Sequence, residues 1–265
     1  MIGSLDLRTA AQACGLGDAS IALLPLAPGA TVCALAARVE PYPASMIKTP
    51  LAVAVAAAIE AGRLRWDEHV EVTAANMTLN DAPSPLAVGV RATVTLLVAL
   101  MLERSDNVAT NVLIDRVGRR EATADLARLG FPQTEIRRKL SGALPLIDDP
   151  QADGRNRHPA HEACSLFAAI AAARVPGAAA IGASLARQYW NTKLSAGLAP
   201  GDTLAHKTGD TDDASHDGGI LTLASGERYA LAVHSPLPSN AATDRRFAAF
   251  MRYLRPLLCS GPTAE

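Results

Sequence analysis

Pro43-Ala44-Ser45-Met46-Ile47-Lys48-Thr49-Pro50-Leu51 is the stretch from which the rest of the chain can be read. Leu51, Val55 and Ile59 follow at four-residue spacing and Gly62 comes after them, the pattern of a buried helix with a glycine stop. Ser45 and Lys48 stand near its start, three residues apart, so their side chains leave from one face. A serine hydroxyl attacks a carbonyl only once a base takes its proton. A lysine amine can be that base when burial beside other cations lowers its pKa. Pro50 cannot donate a backbone hydrogen bond to residue 46, which predicts an irregular first turn. Alone, Ser-x-x-Lys arises by chance about once in a chain of this length, so a capped helix with a surface lysine is the competing reading.

Working outward, Leu5 to Cys14 reads as a short helix, and Ser20–Leu26 and Thr31–Val39 as strands joined through Pro28-Gly29. Residues 63–91 are turn-rich, with Asn80-Asp81-Ala82-Pro83-Ser84-Pro85 as an exposed loop. Thr93–Leu102 is apolar almost all round and predicts a helix buried on every side. Further helices are expected up to Gly118, over Glu121–Leu129, over His161–Ala173 and over Ala178–Tyr189. Residues 133–159 interrupt them with a long irregular loop, of the kind that usually carries function. The last quarter changes period: Asp202–Gly209, Gly219–Leu223 and Tyr229–Val233 read as strands. A closing helix over Ala241–Leu258 then puts Phe247, Phe250, Met251 and Leu254 on one face. Strands open and close the chain and helices fill its middle. This predicts an α+β fold, an α/β sandwich: residues 1–41 and 192–265 form an antiparallel sheet flanked by terminal helices, and 42–191 an inserted all-α domain.

Of the 265 residues 49% are apolar and 4% aromatic, so alanine, leucine and valine must build the core. The net charge of −1, without a basic block, argues against nucleic acid and against an acidic membrane surface as partners. Met1–Thr9 lacks a basic start followed by an apolar run, so a cytoplasmic chain is expected, or an exported one whose leader has been removed. Cys14, Cys33, Cys164 and Cys259 show no metal spacing and are expected to be buried free thiols. No metal or organic cofactor is signalled; the expected partner is a small-molecule substrate.

Three short motifs stand in order: Ser45-Met46-Ile47-Lys48, Ser105-Asp106-Asn107 and Lys207-Thr208-Gly209. The second and third each arise by chance only a few times in about a hundred such chains. The first opens a buried helix, the second sits at a corner between helices and the third lies on a strand beginning a hairpin. The combination resembles the class A β-lactamases and the penicillin-binding DD-peptidases, over nearly the whole chain. The resemblance implies that Ser45 is the acylated nucleophile and Lys48 its base. It implies that Ser105 relays a proton to the leaving nitrogen and Asn107 binds the substrate's side-chain amide. Lys207 and Thr208 would receive the substrate carboxylate. The backbone N–H groups of Ser45 and of Asp210, which follows Gly209, would form the oxyanion hole. Arg228, on the next-but-one strand, matches a position where many class A enzymes keep an arginine for that carboxylate; a solvated strand arginine is the equal alternative. Asp106 reads as a cap, His206 as a packing or pKa-perturbing residue, and His158 and His161 as surface or capping residues. Independently of any family, acyl transfer needs a nucleophile, a base, an acid and oxyanion donors, and two lysines with two hydroxyls can meet that list.

The chain departs from the resemblance in one place. Class A β-lactamases carry a glutamate between the second and third motifs that activates the deacylating water. In Thr134–Leu144 that position falls on or near Leu140, and the asparagine expected four residues on falls at Leu144. Arg138 with Asp153 is the candidate for the loop's ion pair. Glu135, Asp148, Asp149 and Glu162 are the carboxylates that could stand in. A β-lactam is therefore expected to form a long-lived ester. The alternatives are a genuine β-lactamase with another base, or a penicillin-binding sensor that acylates once.

Overall fold

A computed structural model describes residues 3–36, 40–142 and 154–259. In chain order the elements are α1 (Ser4–Ala13), β1 (Ser20–Pro25), β2 (Cys33–Leu35), α2 (Lys48–Glu60), β3 (His69–Glu71) and β4 (Arg91–Thr93). They continue with α3 (Val94–Glu103), α4 (Asn107–Val117), α5 (Arg119–Arg128), α6 (Ala160–Ala171), α7 (Ala178–Leu185), β5 (Thr203–Asp210), β6 (Ser215–Thr222), β7 (Arg228–Ser235) and α8 (Ala241–Cys259). The main sheet runs β2-β1-β7-β6-β5, antiparallel throughout, so strands from both ends of the chain lie side by side.

Each strand sorts its side chains by size as well as by face, because successive residues point to opposite sides. Ile21, Leu23, Leu231 and Val233 pack with Leu7 of α1 and Phe247, Phe250, Met251 and Leu254 of α8. Ala22, Ala230 and Ala232 point the other way and join the cluster of α2, α3, α4 and α6. Small residues on that face let α6 lie close on β1, β6 and β7. A β-carbon at Gly218 would stand 3.2 Å from the Phe167 ring of α6. The helical part is thus continuous with one face of the sheet through a single apolar cluster.

Helix α2 runs through the middle of that cluster: every residue from Met46 to Ala56 is buried. Each fully buried Leu or Val there contributes about 1.5–3 kcal/mol. The expectation of a helix buried on every side does not hold for α3, whose Thr95 and Leu96 face solvent, Leu96 at 47% exposure. The three-residue pair β3–β4 went unforeseen in the turn-rich stretch, since strands so short are defined by their pairing rather than by a pattern of their own. Strand β6 begins four residues earlier than its apolar run, at Ser215. All four cysteines are free, but only Cys164 is buried, and Cys259 is exposed. Among the described residues no helix is long and apolar enough to cross a membrane.

Candidate active site

Three separate pieces of chain meet at Ser45. Residues 44–47 form a 3-10 turn, and the α-helix starts only at Lys48. Pro50 thereby falls in the first helical turn, where a missing N–H costs least. Ala44, just before Ser45, has φ +47°, and Ser105 has φ +59°. Both lie in the left-handed region, which costs a non-glycine residue of order 1 kcal/mol or more and persists only where the surroundings enforce it.

Ser105 sits at the corner between α3 and α4. Asp106 caps α4: its carboxylate accepts from Ala109 N at 2.8 Å, and its own N–H donates to Leu100 O at 3.1 Å. Asn107 N–H donates to Asn80 Oδ1 at 2.5 Å, and its amide donates to Leu79 O at 2.8 Å, so the 79–81 loop closes over the corner. Strand β5 brings the third piece. It passes so close to the 3-10 turn that a β-carbon at Gly209 would lie 3.0 Å from Pro43 O and 3.1 Å from Met46 N. Only glycine lets Lys207, Thr208 and Asp210 approach Ser45 this way.

Lys48 Nζ lies 2.8 Å from Ser45 Oγ, 2.9 Å from Ser105 Oγ, 2.7 Å from Ser105 O and 2.6 Å from Asn107 Oδ1. Lys207 Nζ lies 2.9 Å from Ser105 Oγ, so this hydroxyl bridges the two amines, and 2.9 Å from Thr208 O. Both lysines are fully buried. Burial, reinforced by the charge of Lys207, holds the Lys48 pKa well below the usual lysine range. Burial also pulls Lys207 down to about 7, against the opposing pull of Asp210. A neutral Lys48 has a lone pair to accept the Ser45 proton and two N–H groups to share among Ser105 O, Ser105 Oγ and Asn107 Oδ1. The arrangement can deprotonate a hydroxyl and pass a proton onward without histidine.

Ser45 lines two adjoining cavities. One, of about 480 Å³, has Tyr42, Asn107, Leu140, Arg155 and Asp212 in its walls; the other, of about 420 Å³, has Asp81, Ser105, Trp190, Lys193 and Thr208. Asp210 lines both. Leu140 is anchored at both backbone groups, its N–H donating to Asn111 Oδ1 at 2.7 Å and its carbonyl accepting from Asn111 Nδ2 at 2.9 Å. An apolar side chain is therefore held in the cleft wall beside Ser45.

Some expected residues lie elsewhere. Arg228 pairs across the sheet with Thr222, and Thr222 with Thr203, four rungs from the row of Lys207, Gly218 and Ala232. At about 3.3 Å per residue it stands roughly 13 Å away along the strands. It lines a separate groove with Thr203 and Thr222. Its expected place at the substrate carboxylate is corrected accordingly. His158 is not a surface residue: it is 1% exposed, with Nδ1 2.8 Å from Thr134 Oγ1, and burial holds its pKa well below the usual histidine value. His206 is fully buried with Nδ1 2.7 Å from Asp217 Oδ1, and Asp217 Oδ2 accepts from Leu194 N at 2.9 Å. Glu135 pairs with Arg137 at 2.8 Å. Glu162 accepts from Gln133 N at 2.9 Å and Thr134 Oγ1 at 2.6 Å. Neither lines the cavities at Ser45. Leu144, Asp148, Asp149 and Asp153 lie outside the described residues. Lys193 was missed. It is 2% exposed, donates to Asp210 Oδ1 at 2.5 Å, and belongs to no linear motif. Among the described residues no group of three or more His, Cys, Asp or Glu could hold a metal ion.

The sequence model of the Beta-lactamase enzyme family matches residues 6–249. No curated protein matches the chain in sequence. Among solved structures, PBP-A is 22% identical at TM-score 0.81, covering 97% of each chain. A leucine-to-glutamate mutant of PBP-A, solved as an acyl-enzyme complex with penicillin G, matches equally well. A β-lactamase from Sphaerobacter thermophilus is 24% identical at TM-score 0.80, over 99% of this chain and 100% of the other. At these identities the likeness is one of fold.

Proposed function

Since the chain belongs to the beta-lactamase enzyme family, we propose that it is an active-site serine hydrolase that is acylated at Ser45 by β-lactams and by peptide-like amides or esters. Neutral Lys48 takes the Ser45 proton as Oγ attacks the carbonyl carbon. The N–H groups of Ser45 and Asp210 hold the oxyanion. As the C–N bond breaks, Ser105 Oγ gives its proton to the leaving nitrogen and recovers one from the ammonium formed at Lys48. Lys207 stabilises the negative charge passing through Ser105. Asn107 presents its amide to the acyl side of the substrate. The observation that carries this reading is the bridge itself: Ser105 Oγ stands 2.9 Å from each of two buried amines, one of which is 2.8 Å from Ser45 Oγ.

Hydrolysis of the ester needs a base for water, and Leu140 cannot be one; the carboxylates that line the same cavity are Asp210, Asp212 and Asp213. General-base assistance is worth about a hundred- to ten-thousandfold, so without it a β-lactam ester is expected to persist. The acyl-enzyme captured on the PBP-A mutant with penicillin G supports a chain of this fold forming such an ester. The test is intact mass against time with nitrocefin and with a labelled penicillin. A stable adduct that disappears in Ser45→Ala agrees with the reading. Rapid nitrocefin turnover without adduct would favour a β-lactamase with another base. Absence of adduct with both compounds would refute acylation by β-lactams.

A further inference from the structure

Helix α3 ends two residues before Ser105, and its last carbonyls meet one short segment that follows α7. Leu102 O accepts from Gln188 Nε2 at 3.0 Å, Glu103 O from Tyr189 N at 2.8 Å and Arg104 O from Trp190 Nε1 at 3.2 Å. Carbonyls that a helix C-terminus leaves orphaned are thus satisfied in order by residues 188–190. The peptide between Arg104 and Ser105 is one side of the rotation that gives Ser105 its φ of +59°, so the indole bond to Arg104 O helps hold that strained turn. The indole is held in turn: Tyr189 meets it edge-on at 5.1 Å, and the Arg104 guanidinium lies over the Tyr189 ring at 5.0 Å. Gln188 also reaches the sheet. It is 5% exposed, and its Oε1 accepts from Trp190 N at 3.1 Å, which fixes the orientation of the amide. Nε2 then has one proton for Leu102 O and the other for His206 O, 3.4 Å away. His206 precedes Lys207 on β5, the edge strand of the main sheet. One buried amide therefore spans from the helix that leads into Ser105 to the strand that leads into Lys207.

We infer that Gln188 is a positioning residue for proton delivery: by tying the end of α3 to β5 it sets the place of Ser105 Oγ between Lys48 and Lys207, on which protonation of the leaving nitrogen depends. The inference rests on acylation at Ser45. In that step Ser45 Oγ bonds to the acyl carbon and its proton goes to Lys48. The C–N bond breaks as the Ser105 proton passes to nitrogen, and Ser105 regains one from Lys48. A displacement of Ser105 by about 1 Å slows this second transfer and leaves the first, between Ser45 and Lys48 on one helix face, in place. No linear motif marks Gln188, because its two carbonyl partners lie 86 and 18 residues away in the chain.

The test compares two acylating agents. One is a penicillin, whose leaving nitrogen needs that proton. The other is the p-nitrophenyl ester of N-phenylacetylglycine, whose p-nitrophenolate departs as an anion and takes none. Rates of adduct formation at Ser45 are read on the intact protein. Gln188→Met keeps the length of the side chain and loses both donors. It is expected to slow the penicillin about tenfold and the ester less than about twofold, while Ser105→Ala slows the penicillin about a hundredfold with the same preference. In the Ser105→Ala background Gln188→Met is expected to add nothing, since the hydroxyl it positions is gone. A residue that only stabilised the fold would slow both compounds alike and add its effect to that of Ser105→Ala. Should Gln188→Met fail to fold, Trp190→Phe, which loses the bond to Arg104 O, carries the test with an expected change of about threefold in the same ratio. A folded variant whose penicillin-to-ester ratio is unmoved, or full additivity with Ser105→Ala, overturns the inference and leaves acylation standing. No adduct with either compound in the wild type overturns acylation at Ser45 by such compounds, and this inference with it.

Discussion

The two walls of the cleft at Ser45 are made of different material. One carries Lys48, Ser105, Lys207 and Thr208, all buried, with both amines hydrogen-bonded within the cluster. The other is lined by Arg138, Lys139, Arg155, Asp212 and Asp213 and presents among them Leu140, whose backbone is satisfied by Asn111 and whose side chain has no polar atom. Making an ester and breaking one are separate demands, and a protein can be built for the first without the second. A buried polar cluster is worth keeping only when every member has a partner, which is why the first wall is assembled from three chain segments at once.

The largest effect should come from dismantling the polar wall. Ser45→Ala is expected to abolish adduct formation, and Lys48→Met to slow it by about a hundred- to ten-thousandfold, read as the rate of mass increase with a penicillin. Equal rates in Lys48→Met and the wild type would break the comparison on its polar side. The apolar position at Leu140 is tested by the opposite move. Leu140→Glu is expected to shorten the lifetime of a penicillin ester by about a hundredfold. An unchanged lifetime in a folded variant would mean that the wall's composition does not set the rate of release.

The polar wall should also leave a mark on stability. Folded Lys207 releases its proton near pH 7, whereas an unfolded lysine does so near about 10.4. Between those values the unfolded chain binds the extra proton, so stability rises with pH, by at most about 1.4 kcal/mol per unit from this residue. Below pH 7 the contribution is flat. Urea unfolding at several pH values should show a shallower rise in Lys207→Met than in the wild type. The smallest expected effect is at Arg228: Arg228→Ala should leave acylation rates within about twofold, since the residue lies four rungs from Lys207 on the ladder. A tenfold loss would mean that the two ends of the sheet are coupled.

The misplacement of Arg228 shows where local reading stops. The apolar run of β6 begins at Gly219, yet the strand begins at Ser215, because His216 and Asp217 are buried polar residues held by Tyr42 O and by His206 with Leu194. A strand's start and register are decided by its neighbours, so the row in which an arginine falls cannot be counted along one chain segment. His158 failed for a related reason. It precedes a proline and a helix start, which suggests surface, but the fold turns it inward against Thr134 and toward the ring of His234, 6.4 Å away.

What the chain's own order of residues settles is chemistry of short range. Ser45 and Lys48 share a helix face, Asp106 caps α4, Pro50 disturbs the first turn, and the alternation of large and small side chains assigns each strand two faces. Folding alone decides which charges meet. Lys193 finds Asp210 across 17 residues, Ser105 comes between Lys48 and Lys207, and Leu140 reaches the cleft through Asn111. Such encounters depend on the closure of long loops and on packing between layers, for which local propensity carries no signal.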